Sequence, residues 1–172
     1  MSLKLDEKDH AILTLIQENS KLTANQIAKK INTPLTTVFA KIKRMEEMKI
    51  IKQYRAVLNA EKLNLGTAAF ILAAVSYRAK NEEETPISQR VVAEEISKFP
   101  EVQEVHIITG DWDLLVKLRA ENVESVGKFV VDKLRHIKGL EKTLTCMVFE
   151  TVKESTSIPN FMKKSEVGQQ FR

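Results

Sequence analysis

Thr36, Thr37, Ala40, Lys41, Lys43 and Arg44 fall on one side of a short amphipathic stretch. Two hydroxyls, a methyl and three cations perform no covalent chemistry. They do match a DNA major groove, where small polar and apolar groups meet base edges and cations meet phosphate. Thr36, Thr37, Ala40 and Lys41 are the expected base-edge residues. Lys43 and Arg44, with Lys30 and Arg55, are the expected phosphate contacts. Val38, Ile42 and Met45 recur at i, i+4 and i+7 on the other side, the spacing of a buried stripe. The plain alternative is a three-helix bundle with an ordinary charged face. No carboxylate pair, nucleophile–base pair or glycine-rich phosphate loop stands out, so no enzyme is expected. His10, His106 and His136 lie on separate elements without ligand spacing, so neither metal nor cofactor is expected.

The elements that must hold the first set are legible. Asp6 is an N-cap candidate with Asp9 three residues on, and Ile12, Leu15 and Ile16 form the stripe of a first helix. A second helix runs from Thr23 to about Ile31, with Thr23 and Gln26 spaced as a capping box. The turn is Asn32-Thr33-Pro34. Thr33 is the expected cap, and Pro34 suits the first helical position because it has no N–H to satisfy. The third helix extends to about Met48. This is a helix-turn-helix inside a three-helix bundle. A strand is expected from Ile51 to about Leu58, then a connector from Asn59 to Leu65 ending at Gly66.

The second half has another rhythm. The pattern predicts a doubly buried strand over 67–78, a polar loop over 80–85 and a helix from Pro86 to Phe99 stopped by Pro100. Val102–Thr109 and Asp113–Ala120 read as a hairpin around Gly110-Asp111-Trp112. Val123, Val126, Val130, Leu134 and Ile137 mark a helix, and Glu141–Lys153 the last strand, with Leu144, Cys146 and Val148 alternating against Thr143, Thr145 and Met147. The order βαββαβ predicts a four-stranded antiparallel sheet with both helices on one face, a ferredoxin-like sandwich. The bare face then calls for a copy of itself.

The whole is α+β, with a helix-turn-helix domain over 1–62, a ferredoxin-like domain over 63–159 and a tail over 160–172. Charge follows this division. Residues 1–62 hold 12 Lys and Arg against 7 Asp and Glu, while the remainder holds 15 against 16. The positive balance is confined to the part expected to meet phosphate. Cys146 is the only cysteine, which excludes an intramolecular disulfide; its alternating apolar run predicts a small buried residue. No apolar stretch is long enough to span a membrane and no signal peptide is evident. The expected location is the cytoplasm.

These residues resemble the Lrp/AsnC (feast/famine) transcription regulators of bacteria and archaea over roughly residues 3–159. LDEKDHAIL is similar to that family's first-helix signature, and IAKKINTPLTTVFAKIKRMEEMKIIKQYRA to its helix-turn-helix and following strand. VHIITGDWDLLVKL is similar to its Gly-x-aromatic-Asp loop, and TLTCMVFETVKESTSIP to its closing strand and tail. The resemblance implies binding of double-stranded DNA by a homodimer, often assembled into tetramers or octamers, with an amino-acid effector near the loop. It assigns that site to Thr109, Gly110, Asp111, Trp112 and Asp113. The Asp113 carboxylate would suit an α-ammonium group and loop N–H groups an α-carboxylate. There are departures. Asn32 replaces the usual turn Gly, Pro34 the usual Ser, Lys41 the common Arg, and Trp112 the usual Tyr. Lysine lacks the fork that Arg presents to a guanine edge.

The expected function is a DNA-binding regulator responding to a small effector. Two others stay open: an architectural DNA-binding protein without effector response, and an amino-acid-binding regulatory subunit of an enzyme.

Overall fold

Capping chemistry organises the first half of the chain. In the computed structural model, which describes residues 5–76 and 87–159, α1 spans Glu7–Glu18. The Asp9 N–H donates to the Asp6 carboxylate at 2.9 Å, and the Asp6 N–H donates to the Asp9 carboxylate at 3.0 Å. The predicted box at Thr23 and Gln26 opens α2, Ala24–Lys30. Caps of this kind stabilise a helix by about 1 kcal/mol each. Asn32 takes the turn with φ 46°, a left-handed conformation that Asn tolerates better than most residues.

The third cap differs from expectation. α3 spans Leu35–Glu47, and Pro34 occupies the N-cap position with ψ 140° and no side-chain bond. Thr33 is buried, and its hydroxyl donates to the Ile31 carbonyl at 3.1 Å. Proline disfavours helical dihedrals in the residue before it, so Thr33 stays outside the helix and serves the turn instead. Ile12, Ile27, Ala28, Val38 and Met45 form the buried core of the bundle, with Leu15, Ile16 and Ile42 packed against it. The predicted strand over 51–58 is a mostly exposed segment that joins no ladder among the described residues. The Tyr54 hydroxyl ties it to α3 by donating to Glu46 at 2.8 Å.

The second half is the predicted ferredoxin-like sandwich. Its elements are β1 (Thr67–Val75), α4 (Gln89–Ile96), β2 (Val102–Ile107), β3 (Leu114–Ala120), α5 (Val123–Lys128) and β4 (Leu140–Met147). The sheet order is β2-β3-β1-β4, and every pair is antiparallel. Ala69, Ile71 and Ala73 alternate inward with Leu114, Val116 and Leu118, against Val92, Ile96, Val126 and Leu134. The long helix expected over 123–137 is broken: α5 gives way to a π-helical turn, Phe129–Lys133, then to a 3₁₀ turn, Leu134–His136. Phe129 and Val130 are both buried there, and Phe129 meets Phe99 edge-on at 5.4 Å. Val123, expected in the stripe, is exposed.

β4 corrects a second expectation. Ile71 pairs with Thr145 and Ala73 with Thr143, so the threonines share the helix-covered face. Leu144 and Cys146 pair with Leu72 and Phe70 on the open face, and Cys146 is exposed rather than buried. Alternation says which residues share a face; it does not say which face is covered.

The described residues up to Val57 pack with those from Glu154 onward, and Leu58–Lys153 form a second unit. Gln17 of α1 holds the returning segment: its side chain donates to the Ile158 carbonyl at 3.3 Å and accepts the Ile158 N–H at 2.8 Å. The loop over 80–85, Pro86 and the tail over 160–172 lie outside the described residues. Among the described residues no helix is long and apolar enough to cross a membrane.

Candidate nucleic-acid interface

Five of the predicted residues come together on α3. Thr36, Thr37, Ala40, Lys41 and Arg44 line one shallow recess of about 420 Å³. Pro34 is exposed at the start of the helix. Lys43 is exposed, with Glu47 one turn on at 3.9 Å. Lys30 and Arg55 are exposed but outside the recess. The burial of Val38 and Met45 against α1 and α2 is what turns this side outward.

The two cations at the recess are not equivalent to Lys43. The Lys41 ammonium lies 2.5 Å from the Asp6 carboxylate and 3.1 Å from Asp9. Arg44 donates to Asp9 at 2.7 Å. Asp9 is fully buried, so these bonds supply its solvation. The carboxylates that cap α1 therefore also clamp α3. The Lys41 side chain is only 15% exposed, and its ammonium has two carboxylate partners. Arg44 keeps 46% of its side chain at the surface and can still face a phosphate.

This clamp is sensitive to acid. The hydrogen bond from Lys41, aided by the Asp9 N–H, lowers the Asp6 carboxyl from 3.8 to about 2. Burial alone would lower the Lys41 ammonium, but bonds to Asp6 and Asp9 outweigh it and the net direction is up. A carboxyl lowered in the folded state stabilises the fold above its unfolded value and loses that contribution as pH falls. The wild-type chain should therefore melt higher than Asp6→Asn above pH 3.8, and the gap should close as pH approaches 2. Melting curves of both chains across that range check it.

Sequence reasoning missed two apolar residues beside the recess. Phe39 is 64% exposed and Leu35 is 49% exposed, one turn apart on α3. Their spacing to Ile42 and Val38 let them pass as the margin of the buried stripe. It also missed the clamp, although a second acid at Asp9 one turn after Asp6 was visible in the sequence.

The hairpin tip is a separate place. Thr109, Gly110 and Asp111 are exposed there, and Gly110 has φ 122°, a conformation that L side chains rarely adopt. Trp112 is half-buried, with the Lys142 ammonium 4.8 Å from its ring centroid. Asp113 has partners within the fold. Its carboxylate accepts the Val75 N–H at 2.7 Å and the Gln89 amide at 2.6 Å, and its own N–H donates to Ala73. Asp113 is thus a strut joining the end of β1 to the start of α4. Thr109, Gly110 and Asp111 are the exposed residues of the tip, with Trp112 and Asp113 partly buried behind them.

Comparison with known proteins follows this division. Residues 5–52 match the family model for a winged helix-turn-helix DNA-binding domain, and residues 76–158 match that for the Lrp/AsnC ligand binding domain. An uncharacterized HTH-type transcriptional regulator of Pyrococcus abyssi is 45% identical over 150 residues, covering 87% of this chain and 96% of its own length. HTH-type transcriptional regulator FL11 of Pyrococcus furiosus is 35% identical over 155 residues, covering 90% and 96%. A transcriptional regulator of Neisseria meningitidis, solved as an L-Met complex, superposes with a TM-score of 0.79 at 27% identity, covering 91% of this chain and 97% of that one.

Proposed function

This chain belongs to the Lrp/AsnC family of transcription regulators, which are not enzymes, and on that premise we propose how its two units divide the work. α3 enters the major groove of duplex DNA, with Thr36, Thr37 and Ala40 toward base edges and Lys43, Arg44, Lys30 and Arg55 toward phosphate. The second unit joins two copies and takes an amino acid. The protein works in the cytoplasm.

One observation carries the DNA reading: five residues chosen from the sequence line a single open recess on α3. Two such helices related by a two-fold axis call for a roughly palindromic site, with half-sites about one helical turn apart or a multiple of it. A gel-shift titration against the promoter of its own gene tests this. Binding should weaken linearly in log salt, and Lys43→Ala should reduce the slope by about 1 per subunit without changing sequence preference. No shift at low salt would overturn the reading.

The open sheet face supports pairing. Phe70, Leu72, Leu144 and Cys146 share it, and Leu144 is 46% exposed. A second copy is the natural cover for such a face, and further stacking gives tetramers or octamers.

An amino-acid effector is supported by the matched ligand binding domain and by the L-Met bound to the Neisseria meningitidis relative. We place it at the tip over 109–113, with Trp112 as a wall. A thermal-shift screen of the twenty amino acids tests it, because a ligand at 100 times its Kd stabilises the folded state by about 2.7 kcal/mol. At least one should raise Tm. A flat result removes sensing and leaves DNA binding standing. The architectural reading draws on the withdrawal of Lys41 from base edges, and a poor specificity ratio would favour it.

A further inference from the structure

We infer that Phe39, with Leu35 beside it, determines sequence preference by packing on the C5-methyl groups of thymine in each half-site. This rests on the proposed docking of α3 in the major groove. Three observations carry it. Phe39 is a large apolar side chain, 64% exposed, one helical turn after Thr36 and one before Lys43 on α3. Leu35 lies one turn before it and is also open. The two cations at the recess have carboxylate partners: Lys41 on Asp6 and Asp9, Arg44 on Asp9.

Around Phe39 stand the Leu35 side chain, the Thr36 hydroxyl and the exposed cation of Lys43, each one helical turn away or less. In the major groove the one apolar group a base pair offers is the thymine methyl, and Ala, Thr and Phe are the side chains that meet it. Lys43 fits the phosphates that flank such a base by charge.

Deoxyuridine supplies the test, because it differs from thymine only by that methyl and pairs the same way. The full-length protein selects its site from a random duplex library, and each thymine of the selected site is then replaced singly. Burying one methyl is worth about fourfold in affinity. One thymine per half-site should show that loss on replacement, and replacing both should cost about 15-fold. Phe39→Ala should bind thymine and uridine duplexes alike, and Phe39→Leu should recover part of the discrimination. Phe39 is exposed, so both variants should melt as the wild type does.

A selected site at which no uridine replacement weakens binding overturns the inference. So does Phe39→Ala with its thymine preference intact, or with an equal loss on both duplexes from a helix that has shifted. In those cases DNA is still bound and the docking of α3 survives. If no duplex is enriched or bound, the docking itself fails and the inference falls with it.

Discussion

Asp9→Ala should unfold the N-terminal unit at temperatures the wild-type chain survives, with a loss of about 3 kcal/mol. The carboxylate does three things at once. It accepts the Asp6 N–H and so completes the cap of α1. It accepts Lys41 and Arg44 and so fixes α3 against α1. It is itself fully buried, and its removal takes one of two carboxylates from a Lys41 ammonium mostly withdrawn from water, with Asp6 still in place. Breaking such a pair from one side costs about 3–5 kcal/mol, and the partial exposure of Arg44 sets the lower end here. Thermal and urea unfolding of the full chain should show an early transition absent from the wild type. DNA affinity should fall with it. Asp9→Asn keeps one acceptor oxygen and should lie between the two. An Asp9→Ala chain that melts like the wild type would show that the clamp contributes nothing.

Leu144→Glu should convert the proposed dimer to a monomer. Leu144 sits opposite Leu72 on the open face and is already half-exposed in a single subunit, so the charge is tolerated by the isolated fold. Against a second copy, two carboxylates would be buried without partners, which an apolar interface does not accommodate. Sedimentation should give the mass of one chain, 19.6 kDa. Affinity for a duplex with two half-sites should fall by roughly 100-fold or more, because the second helix is no longer delivered at high effective concentration. Affinity for a single half-site should be unchanged. An intact dimer after this substitution would move the interface elsewhere.

Both predictions turn on features of different legibility. The caps at Asp6 and Thr23 and the buried stripe of Val38 and Met45 were readable because each depends on neighbours within about two helical turns. The βαββαβ order was readable for the same reason, since each strand and helix carries its own period. The recess residues on α3 followed directly from that stripe, because a helix with one buried side has one open side. Thr33 was misread because the conformational veto of the proline after it outweighed its hydroxyl.

The amino-acid sequence by itself determined the two-part build, the element order, and which residues stand on the outward side of the third helix. Only the tertiary structure decided that Lys41 and Arg44 answer to Asp9, more than thirty residues earlier, that Asp113 is a strut, that β4 turns its threonines inward, and that Phe39 stands open. The physical reason is range. Periodicity and capping are local, whereas the partner of a charge and the covering of a face are settled when distant elements meet.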